Sequence, residues 1–433
     1  MFNLVPANAV FKAILPSFFF MSSLLDNLLD QDVWLRFLNY KTEKGYLLKK
    51  EEKTLSEFIH DEQYRDIARQ IVEGGTFGLP EKCFLNKIGS PKKRVVYRFP
   101  EEELMILKML SFLLYKYDGC QSENCYSFRP NRGAQKAIRY LTETVGKRPV
   151  WGYKVDIHDY FNSISIQILL PILKNMLSDD ERLYSFLERL LTENKAVFEN
   201  QIIEEERGVM AGTPVSPFLA NIYLIELDAY FLANQIIYVR YSDDIILFTD
   251  SYEEIENHKK TIFQFLKKYK LTVNPEKEKL IPPDEAWEFL GIQYEKGKID
   301  LSEATKKKVK GKIRRKARSL RRWMLKKDVE PERVMKTIIK IFNRKFFENR
   351  SSHELTWSKW FFPIVNQSKG FKEIDNYLQQ NIRYIPTGKY SKANYKVKYK
   401  DMKALGYRSL VHEFYESLNL YGNENVPIGT KYR

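Results

Sequence analysis

Apolar residues in this chain follow two rhythms. From residue 22 to about 84, Leu24, Leu28, Leu29, Val33, Trp34 and Phe37 recur at the spacing of one helix face, ahead of the charged stretch Lys49-Lys50-Glu51-Glu52-Lys53. This predicts a helical N-terminal region. Helices are also predicted at 101–117, where Glu101-Glu102-Glu103 set acids at the favourable end, at 165–199, and from Phe218 to Phe231. Between them lie short runs of the other rhythm. Gly152 to Val155, Ile236-Ile237-Tyr238-Val239-Arg240 and Ile245-Ile246-Leu247-Phe248 are rich in β-branched and aromatic residues and read as buried strands. Leu271 to Gly291 has strand and turn character, punctuated by Pro275, Pro282 and Pro283. No repeat or low-complexity linker is evident. The sum is an α+β fold in which helices surround a mixed sheet.

The strand pair from 236 to 248 meets at Tyr241-Ser242-Asp243-Asp244. Two adjacent carboxylates at the tip of an apolar hairpin repel each other unless a cation sits beside them. Mg²⁺ suits such a place, because it favours carboxylate oxygens completed by water and substrate phosphate. A plain Asp-Asp turn is the structural alternative. A third carboxylate, Asp156, arrives near the end of the strand in Gly152-Tyr153-Lys154-Val155-Asp156-Ile157-His158-Asp159-Tyr160-Phe161. Two-metal phosphoryl transfer needs carboxylates from separate strands converging on two cations roughly 3.5–4 Å apart. Asp156, Asp243 and Asp244 would supply that clamp, whereas Asp159 reads as a surface residue and not as a metal ligand.

Charge narrows the partner class. The chain has 433 residues, 44% hydrophobic content and a formal net charge of +15, which suits a polyanion. From Lys306 to Lys327 thirteen lysines and arginines appear with no acid. Val309, Ile313, Ala317, Leu320, Trp323 and Met324 are interleaved among them near helical spacing. That describes a helix with an apolar seam and a basic face, where so many like charges are best explained by a phosphate backbone. Beyond residue 330 aromatics mix with bases: Phe342, Phe346, Phe347, Trp357, Trp360, Phe361 and Phe362, then Tyr377, Tyr384, Tyr390, Tyr395, Tyr399 and Tyr407. The Trp and Phe cluster reads equally as helical core or base-stacking surface. Arg383 to Lys400, basic and tyrosine-rich, reads as nucleic-acid contact.

These blocks resemble, in order over roughly residues 85 to 300, the palm of a reverse transcriptase. Lys87 and Lys92-Lys93-Arg94 resemble the basic segment that contacts the incoming triphosphate. Tyr126-Ser127-Phe128-Arg129-Pro130 resembles the Ser-Phe-Arg-Pro segment of bacterial group II intron and retron enzymes. Asp156 to Phe161 resembles the first catalytic block, Gly212-Thr213-Pro214-Val215-Ser216-Pro217 and on through Asn221 to Leu224 the block before the Tyr-x-Asp-Asp hairpin, and Asn274-Pro275-Glu276-Lys277 and Phe289-Leu290-Gly291 the two after it. The resemblance implies a right-hand polymerase: an N-terminal helical extension at 1–84, fingers and palm at 85–300, a basic helical thumb at 301–345 and a C-terminal extension at 346–433. It implies two Mg²⁺ ions, with Mn²⁺ as an alternative, on Asp156, Ile157, Asp243 and Asp244. Nucleotide contacts fall to Lys87, Arg94, Asp159, Tyr160, Phe161, Ala211, Gly212 and Lys277. Primer and template contacts fall to Tyr241, Ser242, Arg129, Arg314, Arg315, Arg318, Arg321 and Arg322. Phe161 resembles the steric gate that excludes a ribose 2′-hydroxyl, with a core Phe as the alternative.

The chain also departs from that pattern. Relatives usually carry Pro-Gln-Gly where this chain has Met210-Ala211-Gly212, so Ala211 puts nucleotide selectivity in question. Ser242 replaces the Ala, Val or Met of many relatives. No acidic constellation of an RNase H, no His-Asn-His nuclease block and no integrase-like region is present. The chain therefore looks more like the defence-associated bacterial reverse transcriptases, which copy a neighbouring non-coding RNA to protect against phage. The alternatives are a retron or mobile-element enzyme and a catalytically silent RNA-binding scaffold. The implied partners are an RNA template, a DNA product or primer and deoxynucleoside triphosphates, without a membrane; a homo-oligomer is left open.

Cys83, Cys120 and Cys125 make no zinc pattern with the five scattered histidines and read as ordinary buried thiols in a reducing bacterial cytoplasm. The apolar run Phe11 to Phe20 is interrupted by Lys12 and Pro16 and is too short to span a bilayer. Residues 1–20 read as a mis-called or dispensable extension ahead of Met21.

Overall fold

The computed structural model describes residues 23–45, 47–86, 93–205, 208–348 and 356–421. The expectations for residues 1–20, Lys87 and Lys92 and for the side chain of Arg94 lie outside what is described. Eleven strands are described in chain order: β1 (Glu81–Asn86), β2 (Lys93–Arg98), β3 (Trp151–Asp156), β4 (Lys195–Phe198), β5 (Gln201–Glu204), β6 (Ile237–Tyr241), β7 (Asp244–Thr249), β8 (Lys279–Ile281), β9 (Trp287–Phe289), β10 (Ile292–Glu295) and β11 (Lys298–Leu301). The chain divides into two compact units. The first holds residues up to Lys44, Lys49–Ala137 and Pro149–Pro283, and the second Gly45–Leu48, Ile138–Arg148 and the chain from Asp284 onward.

The first unit is built on two four-stranded sheets. In the order β6-β7-β3-β8, β3 is central and antiparallel to both neighbours. Its core position explains its composition: Gly152, Tyr153 and Val155 are buried, and a Cβ on Gly152 would meet the Phe248 ring at 2.8 Å and Ile281 Cβ at 3.2 Å. The Tyr252–Lys268 helix packs on β3 and β7 through Ile255, Ile262, Phe265 and Leu266. Its start is capped by Ser251, whose side chain accepts the Glu254 N–H. The second sheet runs β2-β1-β4-β5, with hairpins β1–β2 and β4–β5 joined by one parallel contact, Glu81 to Val197.

Several predicted elements are divided or replaced. The N-terminal region is helical through Arg65–Val72, but β1 begins at Glu81 inside the expected helical stretch. The 101–117 helix is α-helical over Glu101–Leu113 and tightens to a 3₁₀ turn at Leu114–Cys120. The 165–199 stretch becomes the helices Ile166–Met176 and Glu181–Thr192, the second capped by Asp180, and then β4. β4 pairs with β1 and β5, and such pairing is invisible to a local helical period. The Phe218 to Phe231 helix breaks at Leu224 into Ser216–Tyr223 and Ile225–Ala233.

The second unit combines the sheet β11-β10-β9 with helices Glu303–Lys327, Pro331–Phe347, Lys369–Thr387 and Leu410–Tyr421. The basic helix buries Val309, Ile313, Ala317, Leu320 and Met324 as the seam requires, but Trp323 is exposed, one residue off the stripe. Phe342, Phe346, Phe361 and Phe362 are buried with Phe371 and Phe414, so this part of the aromatic cluster is core. Asp375 caps the last helix from afar, accepting from the Leu410 and Val411 N–H groups and the Ser409 hydroxyl. Of the cysteines only Cys125 is buried; Cys83 is half-buried and Cys120 exposed, against the expectation of three buried thiols. Among the described residues no helix is long and apolar enough to cross a membrane.

Candidate active site

Strand register brings the acids together. β3 and β7 pair so that Asp156 stands opposite Asp244, and the β6–β7 hairpin closes with Tyr241 opposite Asp244. Backbone bonds tie the edge further: the Ile157 N–H donates to the Asp243 carbonyl at 2.9 Å, and the Asn274 N–H to the Asp156 carbonyl at 2.8 Å. The segment carrying Lys277 thereby reaches the same edge, and its Nζ lies 2.5 Å from Asp156 Oδ2. Asp156, Ile157, Asp243, Asp244 and Lys277 form one cluster.

The cluster is short of positive charge. Burial, then the field of Asp156, pushes the Asp243 carboxyl above its usual range. Asp244 is pushed up to about 6, by burial and by Asp243 and Asp156 against the pull of Lys154 and Lys277. Burial pulls Lys277 down, but its bond to Asp156 and the field of the three acids leave it raised. Among the described residues no three Asp, Glu, His or Cys side chains stand close enough to hold a metal ion unaided. The donors are hard carboxylate oxygens, which fit a water-carrying cation such as Mg²⁺ rather than a thiolate- or imidazole-bound metal.

A buried polar frame lies behind the hairpin turn. Ser242 adopts φ 60°, a left-handed conformation that a residue with a Cβ holds only under constraint. Its N–H donates to Ser127 Oγ at 2.9 Å, and that hydroxyl donates to Asn221 Oδ1 at 2.9 Å. Asn221 Nδ2 then donates to Gln121 Oε1 at 3.0 Å and to the Ser127 carbonyl at 2.7 Å. Arg240, fully buried, pairs with Asp228 through Nε at 2.8 Å and Nη2 at 2.5 Å. Its guanidinium also reaches the Asn221 carbonyl at 2.9 Å and the Ser242 carbonyl at 3.4 Å, while the Tyr238 hydroxyl donates to Asp228 at 2.9 Å. The turn is held from below by a desolvated ion pair and two amides.

Arg129 plays a different part from the template contact expected of it. Its guanidinium is buried, paired with Asp118 at 2.7 and 3.1 Å, and donates to the carbonyls of Asp118, Ser122 and Cys125. Those bonds spend its donors inside the loop.

The remaining residues expected at the nucleotide, primer and template are placed differently. Tyr160 is buried and its hydroxyl donates to the Ala220 carbonyl at 2.6 Å, so it anchors a helix instead of presenting a hydroxyl. Phe161 is half-buried in an aromatic group in which Phe128 lies 6.3 Å from both Phe161 and Tyr241. Asp159 is exposed and accepts from Asn162 Nδ2. The Ala211 carbonyl accepts the Tyr97 N–H at 3.1 Å, which laces its loop to β2, the strand whose backbone includes Arg94. Gly212, at φ +104°, passes so near Val96 that a Cβ would lie 3.2 Å from its Cβ. Arg314, Arg315, Arg318 and Arg322 are exposed on the second unit's basic helix, whereas Arg321 is half-buried and donates to the Ile385 and Pro386 carbonyls.

The sequence reading gave no site role to Asp228, Arg240, Asn221 or Gly208, although Asn221 and Arg240 lie in segments it singled out. A Cβ on Gly208 would fall 2.2 Å from the Phe161 carbonyl, which accepts the Val209 N–H. Only a glycine lets this loop lie on Phe161. The glycine itself, two residues before Met210, was the available signal.

Residues 94–294 match the family described as "Reverse transcriptase (RNA-dependent DNA polymerase)". A 247-residue stretch is 26% identical to the group II intron-encoded protein LtrA of Lactococcus lactis subsp. cremoris, covering 56% of this chain and 40% of that protein. A stretch of 149 residues is 27% identical to an uncharacterized 91 kDa protein in the cob intron of Schizosaccharomyces pombe, covering 34% of this chain and 18% of that one. The chain spans less than half the length of these curated relatives. Among solved structures, apo telomerase from Candida tropicalis superposes over 77% of this chain and 69% of its own, at TM-score 0.45 and 11% identity. Telomerase from Candida albicans with a fragment of telomeric RNA superposes over 86% and 71%, at TM-score 0.41 and 12% identity.

Proposed function

We propose that the reverse transcriptase domain of residues 94–294 makes this chain an RNA-directed DNA polymerase, extending a primer hydroxyl with deoxynucleoside triphosphates. The observation that carries this reading is the register that sets Asp156 against Asp244 beside Asp243, in surroundings that raise the last two carboxyls. Asp156, Asp243 and Asp244, with the Ile157 backbone, would hold two Mg²⁺ ions, or Mn²⁺ in their place. Bound there, the ions supply the charge that activates an attacking hydroxyl and steadies the leaving pyrophosphate.

The chain's own groups supply position and selection. Lys277 holds Asp156 in place and offers a point charge to phosphate. Phe161, braced by Phe128, presents a bulky wall toward a ribose 2′-hydroxyl. Gly212 and Ala211 bring backbone close to the nucleotide, and Lys87 and Arg94 take its triphosphate. Tyr241 and Ser242 face the primer terminus.

For the biological setting, the resemblance to defence-associated enzymes supports antiphage defence, with a locus-encoded non-coding RNA as template. The match to a group II intron-encoded protein favours the alternative of a mobile-element enzyme.

The test is extension of oligo(dT) on poly(rA) with dTTP in Mg²⁺ and in Mn²⁺. Wild type should extend and Asp243→Asn/Asp244→Asn should not. A wild type inert on every RNA template would favour the silent RNA-binding scaffold. Sequencing nucleic acid that co-purifies from the native locus, with and without phage, then separates the settings. DNA copied from a structured RNA lacking intron boundaries supports defence, and DNA copied from an intron supports mobility.

A further inference from the structure

We propose that the second unit carries a stacking site for single-stranded RNA, built from Tyr384, Tyr390 and Tyr395 with Arg314, Arg318 and Arg383. The proposal rests on the reading of RNA as this chain's partner and deepens it, because these residues lie outside the matched domain.

Two acid-free segments meet there. One is Lys306 to Lys327 on the basic helix; the other runs from Asn376 to Lys400, with six lysines and arginines and five tyrosines. The Lys369–Thr387 helix packs along the basic helix and ends at Gly388, whose φ is +70°. A Cβ on Gly388 would lie 2.3–2.4 Å from the Arg321 guanidinium, so glycine permits the close approach. Arg321 is used inside this contact: it donates to the Ile385 and Pro386 carbonyls and lies 5.8 Å from the Tyr384 ring centre.

The rings beyond that contact are fixed and open to solvent. Tyr390 stacks on Tyr384 with centres 4.9 Å apart and planes 20° from parallel. Its hydroxyl donates to Asn381 Oδ1 at 3.0 Å, yet the residue is 55% exposed. The charges of Arg318 and Arg314 reach it. Tyr395, 61% exposed, has the Arg383 guanidinium 5.1 Å from its ring centre, and Arg383 is steadied by the Val397 carbonyl at 3.0 Å.

Core packing would bury these rings, and a merely solvated face would leave them unstacked. Tethered tyrosines that prolong a stack into solvent, beside arginines and without a carboxylate in either segment, match unpaired bases on a phosphate chain. Every base has a π-face, so the site should tolerate sequence. A duplex, with its bases already stacked, should bind it poorly.

The experiment uses the full chain and a fluorescein-labelled 15-nucleotide oligo(rU) carrying one 4-thiouridine. Anisotropy across a KCl series gives affinity and salt slope, and ultraviolet crosslinking with peptide mapping locates the contact. We expect crosslinks at Tyr390 or Tyr395 and about tenfold weaker binding for Tyr390→Leu/Tyr395→Leu at unchanged salt slope. Arg314→Gln/Arg318→Gln should reduce the slope by about 1.4. Tyr390→Phe, which keeps the ring, should bind like wild type and guards against a folding artefact. A mapped contact lying elsewhere, or double-tyrosine binding equal to wild type, overturns the site. So does preference for an acidic protein over the oligonucleotide. Primer extension is run in parallel. A crosslink at the tyrosines without extension defeats the polymerase reading alone, and extension without that crosslink defeats the site alone.

Discussion

The acid edge of the first unit and the tyrosine–arginine face of the second invert each other's chemistry. At the edge, three carboxylates gather with only Lys277 and Lys154 to offset them, fixed from below by the buried Ser127–Asn221 and Arg240–Asp228 frame. On the face, cations gather with no acid from Lys306 to Lys327 or from Asn376 to Lys400, and the Tyr390 and Tyr395 rings among them stay exposed. A reacting centre depends on single atoms at single positions, whereas a binding surface sums many exchangeable contacts. Substitutions should therefore be severe and singular in the first region, shallow and additive in the second.

The most severe break is at the carboxylates. Asp156→Asn or Asp244→Asn should lower single-turnover primer extension by about a thousandfold or more, the scale of several kcal/mol of lost charge stabilisation. A variant retaining a tenth of the rate would reduce the hairpin to a turn. Next comes the frame's ion pair. Asp228→Asn leaves the Arg240 charge buried without its partner and should cost about 3–5 kcal/mol, read by urea unfolding. A neutral result would mean that the guanidinium finds water. Ser127→Ala removes the acceptor of the strained Ser242 N–H and should cost about 1–3 kcal/mol. It should lower kcat at least tenfold with little change in the nucleotide KM, and Ser127→Thr should restore much of it. An equal rise in KM would argue for a direct nucleotide contact instead.

Two smaller effects sharpen the contrast. Without divalent cations, the folded state holds a proton on Asp244 up to about pH 6, whereas the unfolded chain releases it near 3.8. The folded state thus binds the extra proton in that window, and stability falls as pH rises from about 4 through 6. Thermal midpoints in chelator should show the decline, and added Mg²⁺ should reverse it most above pH 6. A flat profile would count against mutual repulsion at the edge. Smallest of all, Arg315→Gln on the basic face should change RNA affinity only by a salt-slope decrease of about 0.7.

What the sequence disclosed about the site was its local part. Asp243 and Asp244 are neighbours in a tetrapeptide between strand-like runs, and Asp156 ends a recognisable strand, so their type and spacing sufficed. The frame was hidden because its partners are set by tertiary approach. Ser127 meets Ser242 from 115 residues away, and Arg240 finds Asp228 across a helix-to-strand connection. For the same reason Arg129 read as a primer or template contact, although its guanidinium pairs with Asp118. Helical seams were legible through their period, and Trp323 missed the stripe by a single position. β1 was not legible, since Phe84 and Leu85 both stay exposed and leave no alternation to detect.

The central place of β3 has a temporal consequence. Both of its hydrogen-bonding neighbours are synthesised long after it, for Asp244 follows Asp156 by 88 residues and β8 follows later still. At about 5–20 residues per second a ribosome takes roughly 4–18 s to cover that interval. Throughout it Asp156 belongs to an unpaired, apolar strand with two open edges, the form of nascent chain that most invites misassociation or chaperone capture. The acid edge is consequently among the last parts of its unit to form, and slowing translation between residues 156 and 281 should lower the yield of folded protein without altering the finished molecule.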